Sequence, residues 1–273
     1  MQGLTRAIAA VLIAGLYVAA AAGAGAQTSP GHYQEFGDAT GFLNIVGPGQ
    51  DGVLNGPEAI EAQAGTYPPH VKDQLSMYGD LVYNAPGLTE AHILDFFKDA
   101  SFGVPDADID RTYSPTTGVT VIRDKSFGVP HIFGDTRYAT MFAAGYTGGE
   151  DRLFLMDVLR HLGRARLSEF LGASDSDIAM DQGQLAIAPY LESDLTAQID
   201  AIRNSGPEGQ AGYDDLVAYT DGVNEYISEA LADSTKMPAE YPALQQTPAP
   251  WKVEDAVAVA AVPESPGQPT SLA

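Results

Sequence analysis

The stretch that decides the fold reads Val119-Thr120-Val121-Ile122-Arg123-Asp124, then Lys125-Ser126-Phe127-Gly128-Val129-Pro130, then His131-Ile132-Phe133. The first six residues are rich in β-branched side chains and roughly alternate, which predicts a strand. Lys125 to Pro130 turn, and His131-Ile132-Phe133 return as a second short strand, giving a β-hairpin. Asp135 or Thr136 can then cap a long helical segment. Met141, Phe142, Gly145 and Tyr146 line one face of it, and Leu153, Met156, Leu159 and Leu162 line the next. Gly148-Gly149 falls between those halves and predicts a kink or a division. Ser168 to Leu171 make a last turn that Gly172 stops. A hairpin feeding long helices sets the class as mixed α/β of the α+β kind, helix-rich.

Working outward toward the N-terminus, residues 31–70 are rich in Gly and Pro and read as an extended arm with at most one strand, at Phe42-Leu43-Asn44-Ile45-Val46. Leu75, Tyr78, Leu81 and Val82 recur at helical spacing before Pro86. Thr89 can cap a further helix carrying Ile93, Leu94 and Phe97. Ser114-Pro115-Thr116-Thr117-Gly118 reads as a linker. Toward the C-terminus, helices are expected at about 190–204 and 214–232. Pro248-Ala249-Pro250-Trp251 punctuates, and Val253 to Ala261 opens another helix with Glu254 and Asp255 at its positive end. Pro263-Glu264-Ser265-Pro266-Gly267-Gln268-Pro269 ends all pattern. The expected divisions are therefore 1–26, 27–113, 114–262 and a Pro-rich tail at 263–273.

The 273 residues carry a formal charge of −22, 18% charged residues, 29 Gly and no Cys. Apolar residues are too many for a disordered chain and charges too few for a coiled coil. Acidity of this degree repels phosphate backbones and anionic lipid, so neither nucleic acid nor a membrane surface is an expected partner. Without cysteine there is no disulfide frame, thiolate metal site or Cys nucleophile.

Three features invite a chemical reading. The cations Arg123, Lys125, Arg137, Arg152, Arg160, Arg164 and Arg166 cluster in sequence and suit carboxylate recognition. Asp124, Asp135, Glu150, Asp151 and Asp157 lie close enough to neutralise them, so internal pairing is the favoured reading. His131 on its strand is expected to be a structural hydrogen-bonder, because no activated nucleophile accompanies it. Asp106-Ala107-Asp108-Ile109-Asp110 imitates a calcium loop but has Arg111 where Gly is required and Thr117 at the acidic twelfth place. Lipase-type, zinc-protease, dinucleotide and phosphate-loop motifs are absent.

Five pieces in register carry something more specific: Val121-Ile122-Arg123-Asp124; Phe127-Gly128-Val129-Pro130-His131-Ile132-Phe133; Gly145-Tyr146; Glu150-Asp151-Arg152-Leu153-Phe154-Leu155-Met156-Asp157; and Arg164 to Gly172. Together they resemble the α-chain of the penicillin acylase (penicillin amidase) family. The likeness continues more loosely to Pro250-Trp251-Lys252-Val253-Glu254-Asp255. The resemblance implies an N-terminal-nucleophile hydrolase: an exported precursor that cuts itself into α and β chains around a four-layer αββα core. It implies a β chain as partner and a small acylated amine as substrate, such as a β-lactam side chain or an acyl-homoserine lactone. The β chain's N-terminal Ser would attack the amide, with its own α-amino group as base.

After Val262 the sequence departs from that pattern. Ser265 and Ser271 are poor substitutes for the missing nucleophile, and the family's catalytic Ser, oxyanion donors and calcium ligands map to no residue here. No catalytic, cofactor-binding or metal residue is therefore assigned. The expected function is the α-chain-like part of an exported acylase, incomplete without a β chain and inactive alone. A stand-alone exported binding or scaffold protein, or a truncated or frameshifted product, are the rivals. Export rests on the start of the sequence: Arg6 precedes an apolar run from Ala7 to Ala22, and Ala24-Gly25-Ala26 gives a small-x-small site. N-terminal sequencing of secreted or periplasmic material should begin at Gln27; intact Met1 in the cytoplasm would refute a cleaved leader.

Overall fold

The computed structural model describes residues 43–44, 53–73, 75–99 and 104–262. The expected leader at 1–26 and the tail at 263–273 lie outside these residues, as do Ser265 and Ser271. The described residues form a helix-rich α+β structure, as expected. They divide into two compact units: residues before Phe154 together with Asp221–Glu240, and Phe154–Thr220 together with the residues from Tyr241 onward.

In the first of these units, β1 (Leu43–Asn44) pairs antiparallel with β2 (Lys98–Asp99). The arm predicted as extended instead contains a helix, α1 (Gly56–Gln63). Asn55 caps it: its side chain accepts from Glu58 N at 3.1 Å, while the Glu58 carboxylate accepts from Asn55 N at 3.0 Å. With Pro57 in the first turn, this short polar sequence starts a helix through its cap rather than through an apolar stripe. α2 (Leu75–Asn84) follows where its spacing predicted, and Glu90–Asp95 is a 3₁₀ turn rather than an α-helix.

The predicted hairpin is present as β4 (Val119–Asp124) and β5 (Pro130–Gly134), paired with Val121 opposite Ile132. A third strand, β3 (Ile109–Tyr113), adds to the other side of β4, so the supposed linker 114–118 is the turn between two strands. Sequence reasoning missed β3 because its five residues, Ile-Asp-Arg-Thr-Tyr, are mostly exposed and polar, as an edge strand can be. Central β4 buries Val121, Ile122 and Arg123 in succession, as a strand covered on both faces does. Val119 and Val121 pack with Ala139 and Ala143 of α3 (Arg137–Leu162), and Tyr113 and Ile132 close over that cluster. Thr136 Oγ1 accepts from Ala139 N at 3.1 Å, starting α3 where its cap was expected. The helix breaks at Arg152 (φ −158°, ψ 33°), three residues past the glycine pair.

Those glycines serve a different purpose. A Cβ on Gly149 would meet the Tyr226 side chain at 3.1 Å, and one on Gly222 would meet the Phe142 carbonyl at 1.8 Å. Both positions let α3 and α7 (Pro207–Ala232) approach closely within this unit.

The other unit holds the end of α3, α4 (Leu167–Leu171), α5 (Asp175–Ile187), α6 (Glu192–Arg203), the start of α7, α8 (Glu240–Ala243) and α9 (Val253–Ala260). Sequence reasoning passed over α5. Its buried positions include the polar Asp181 and Gln184, so no apolar stripe announces it, although Ser174 caps it by accepting from Asp177 N at 3.1 Å. The helix predicted at 214–232 begins seven residues earlier, at Pro207.

At the end of α3, a Cβ on Gly163 would lie 1.9 Å from the Ala258 carbonyl of α9. Gly163→Ala should therefore cost about 1–3 kcal/mol by overpacking. Gly183→Ala, at an exposed α5 position with nothing within 4 Å of the new methyl, should gain about 0.5–1 kcal/mol. Thermal denaturation followed by circular dichroism separates the two signs.

Candidate functional site

Two buried polar clusters take up most of the residues that the sequence singled out. The first centres on Arg123, whose side chain is wholly buried. Its guanidinium donates to the Gly128 carbonyl at 2.8 Å and to Asp151 at 3.1 Å, lies 2.8 Å from the second Asp151 oxygen, and also donates to Glu150. Its Nε donates to the Tyr113 hydroxyl at 3.2 Å, and that hydroxyl donates to Glu150. Burial would lower the Arg123 pKa, but Asp151 and Glu150 beside it outweigh that and keep the guanidinium charged. The β4–β5 turn and α3 are thus fastened together by one cation. Gly128 makes the turn possible at φ +68°, a conformation that glycine adopts without strain.

The same network reaches α7. Tyr146 donates to Glu229 at 2.8 Å and meets Tyr226 edge-on at 5.6 Å, while Lys236 also binds Glu229. Burial is the main cause that raises the Tyr113, Tyr146 and Tyr226 phenols above their usual value, and the neighbouring carboxylates add to it. These hydroxyls are held neutral as donors.

The second cluster, in the other unit, centres on Asp157. Its carboxylate accepts from Trp251 Nε1 at 2.8 Å and from the Tyr241 hydroxyl at 2.7 Å. Arg160 Nε lies 2.9 Å from it, an ion-pair contact without hydrogen-bond alignment. Arg160 also donates to the carbonyls of Ala249 and Pro250, and its guanidinium stands 5.1 Å from the Trp251 ring. Asp255 binds Arg160 at 3.4 Å and Arg164 at 2.7 Å, and Arg164 reaches Glu192 at 2.7 Å.

The arginine cluster is accordingly spent largely on internal pairs. Some acceptors were foreseen, namely Glu150, Asp151 and Asp157. Of the others, Glu169 pairs with Arg166 three residues before it at 3.1 Å, while Asp255 and Glu192 lie up to 95 residues from their partners and only folding brings them near. Arg152 makes no side-chain hydrogen bond or ion pair among the described residues and marks the break in α3. His131 Nε2 stands 3.5 Å from Asp124 across the hairpin, with no nucleophile between them. Burial would raise the Asp124 carboxyl, but the hydrogen bonds from His131 and the Phe127 amide outweigh it and hold it below the ordinary carboxylate value.

Asp106–Asp108 forms a 3₁₀ turn whose Ala107 carbonyl accepts from Lys125 at 2.7 Å. Among the described residues no three of His, Asp or Glu converge as a metal site. The described residues therefore show no cluster that would seat a calcium ion. No described helix is long and apolar enough to cross a membrane. A cleft of about 520 Å³ lies between α2 and the following 3₁₀ turn, with Met77, Leu88 and Phe96 beside Asp80, His92 and Asp95. It is separate from both clusters and contains none of the singled-out motifs.

The family model for penicillin amidase matches residues 118–264, a region that begins at the β3–β4 turn and takes in both clusters apart from Tyr113. This chain belongs to the penicillin amidase family. The penicillin acylase 2 proenzyme of Pseudomonas sp. (strain SE83) is 30% identical over 141 residues, 52% of this chain and 16% of that protein. Penicillin G acylase of Escherichia coli is 28% identical over 50% of this chain and 15% of its own length. Acyl-homoserine lactone acylase QuiP of Pseudomonas aeruginosa is 30% identical over 54% of this chain and 17% of its own. The chain thus spans less than a fifth of the length of these relatives. The solved structure of a thermostable penicillin G acylase from Alcaligenes faecalis aligns with 55% of this chain and 71% of that chain, at 26% identity and a TM-score of 0.44.

Within the family, then, the residues of the shared motif that the structure explains are Arg123, Glu150, Asp151 and Asp157, all of them framework. Asp157→Ala removes the partner of a buried cation and two buried donors, and should cost about 3–5 kcal/mol. Arg166→Ala, which breaks an exposed pair, should cost under about 1 kcal/mol. Because the folded state holds the Tyr113, Tyr146 and Tyr226 phenols protonated above the usual tyrosine value, it binds more protons than the unfolded chain in alkaline solution. Stability should therefore be fully present below about pH 10 and fall as pH rises beyond it. A denaturant-midpoint series across that range, repeated on Tyr146→Phe, should show a shallower alkaline loss in the variant.

Proposed function

We propose that this chain is the N-terminal, α-chain-like part of an exported acylase that hydrolyses the amide of an acylated amine. The attacking group would come from polypeptide outside this region. The family match over 118–264 supports the reading, and the observation that carries it is how the family's motif residues are used. Arg123, Glu150, Asp151 and Asp157 are consumed in buried pairs with one another and with fixed donors of the fold. Residues used in this way can position a catalytic partner without supplying the bond-making atom. The relatives carry acylase names of two kinds, for penicillins and for acyl-homoserine lactones, and both substrate classes present an acyl group on a nitrogen.

A second reading keeps the fold and drops the chemistry, as a stand-alone exported scaffold. One observation favours it. Of the apolar side chains along the end of α3 and along α9, Leu153 and Met156 are buried, and Leu159, Leu162, Val257 and Val259 are half-buried, so none of the six is left exposed.

The purified chain should release no detectable amine from penicillin G or from an N-acyl-homoserine lactone above a buffer blank. Co-expressed with the Escherichia coli penicillin G acylase from which the matching region has been deleted, it should restore some turnover. Hydrolysis by the chain alone that survives Ser265→Ala and Ser271→Ala would overturn the proposal. A sharp two-state melt of a monomer that neither binds an apolar dye nor complements would favour the scaffold.

A further inference from the structure

The cleft beside α2 lies in residues 77–96, before the family match begins at 118. On α2, Met77, Asp80 and Asn84 follow one another at i, i+3 and i+7, so a single helical face makes one wall. In the 3₁₀ turn that makes the other wall, His92 and Asp95 stand three apart, where side chains eclipse. The Asp95 carboxylate meets His92 Nδ1 there at 3.1 Å. Met77 and Phe96 are buried and Leu88 is half-buried, which gives the cleft an apolar floor. The polar groups around that floor are mainly acceptors. The Asp80 carboxylate has no hydrogen bond or ion pair among the described residues. The Asn84 amide nitrogen donates to the Asp80 carbonyl at 2.8 Å, which leaves its oxygen to accept. Neither Lys nor Arg lines the cleft, so even with His92 counted as a cation the two carboxylates leave it net negative.

We infer that this cleft binds a small organic amine as its ammonium ion. The apolar body of the ligand rests on Met77, Leu88 and Phe96, and its N–H donors turn to Asp80 and Asp95. The volume of about 520 Å³ lies within the range of small-molecule sites, roughly 300–1,000 Å³. Charge then chooses among the ligands that this size admits. An anion would meet carboxylates and no Lys or Arg, in a chain of net charge −22. A metal ion would find no three converging His, Asp or Glu side chains among the described residues, and it gains nothing from an apolar floor. A neutral apolar molecule would use the floor and gain nothing from the two carboxylates. An ammonium on an apolar stem uses both, and the Tyr83 ring, 83% exposed in the lining, adds an aromatic surface for a cation. Hydrolysis of an acylated amine also liberates an amine. Binding here does not depend on the proposed function, because every residue that lines the cleft precedes the matched region.

Isothermal titration calorimetry on the full chain compares three probes of similar shape: benzylammonium, benzyl alcohol and benzoate. Benzylammonium should bind at a single site about tenfold more tightly than benzyl alcohol, and benzoate should not bind. An Asp80→Asn/Asp95→Asn variant should bind benzylammonium about tenfold more weakly and leave the benzyl alcohol affinity unchanged. Glu90→Gln removes an exposed acid of the same turn that does not line the cleft. It should bind benzylammonium as the wild type does, which separates the cleft from the overall charge. The double variant should melt with the wild type, because both carboxylates occupy exposed positions. If it does not, Asp80→Asn alone takes its place, with an expected loss of about threefold. Equal benzylammonium affinity in the wild type and the folded variant overturns the inference. So does binding of benzyl alcohol or benzoate as tight as that of benzylammonium, or no binding by the wild type. Nα-acetyl-lysine methylamide binding more tightly than benzylammonium would assign the cleft to a lysine side chain of another polypeptide, and that also overturns it. Each of these outcomes leaves the acylase reading to its own amine-release assay.

Discussion

A guanidinium taken wholly out of water on the central strand of a three-stranded sheet is the constraint on which the first unit depends. An isolated buried cation would cost several kcal/mol, so Arg123 is tolerable only where two carboxylates and a carbonyl are delivered to it together. Glu150 and Asp151 arrive from α3 and the Gly128 carbonyl from the β4–β5 turn. The requirement fixes register. A one-residue slip of β4 would send Arg123 to the opposite face and leave both carboxylates without their cation. It also fixes how α3 lies on the sheet, because adjacent acids on a helix point about 100° apart and both must still reach one fork. The apolar contact of Val119 and Val121 with Ala139 and Ala143 supplies burial, and the ion pair supplies uniqueness.

The second unit solves a similar problem with the sign reversed. Asp157 is a buried anion that collects an indole N–H, a phenol and a guanidinium, from α3, α8 and the segment before α9. Those partners lie 84 and 94 residues along the chain, so this one carboxylate gathers elements that no local propensity would bring together. Phe154, Phe170 and Tyr241 pack around it, and His161 stacks on Phe170 at 4.3 Å, which keeps water from competing for the carboxylate.

The sequence displayed the elements that advertise themselves by period. The hairpin at 119–133, the long helix after Thr136 and the helix after Trp251 were legible because each repeats apolar residues at two or at three to four. Elements held by caps or by polar burial were not. α1 begins on an Asn–Glu box without an apolar face, β3 is a polar edge strand, and α5 turns Asp181 and Gln184 inward. A search for Asn55-x-x-Glu58 and Ser174-x-x-Asp177 would have found both helices, since capping leaves a local signature even where burial leaves none. The pairing of the arginines was legible in kind. Its long-range partners, Asp255 for Arg160 and Arg164 and Glu192 for Arg164, were not, because sequence proximity finds only neighbours on one helix.

A motif shared with a family of enzymes invites the transfer of chemistry, and here the geometry argues for the transfer of architecture alone. A catalytic carboxylate or histidine must keep a lone pair or proton free for substrate. Glu150, Asp151 and Asp157 instead accept from two or more buried donors, and Arg123 spends its donors within the fold. Freeing any one of them would strand an opposite charge in a site that water does not reach, so recruiting it for catalysis would dismantle the frame.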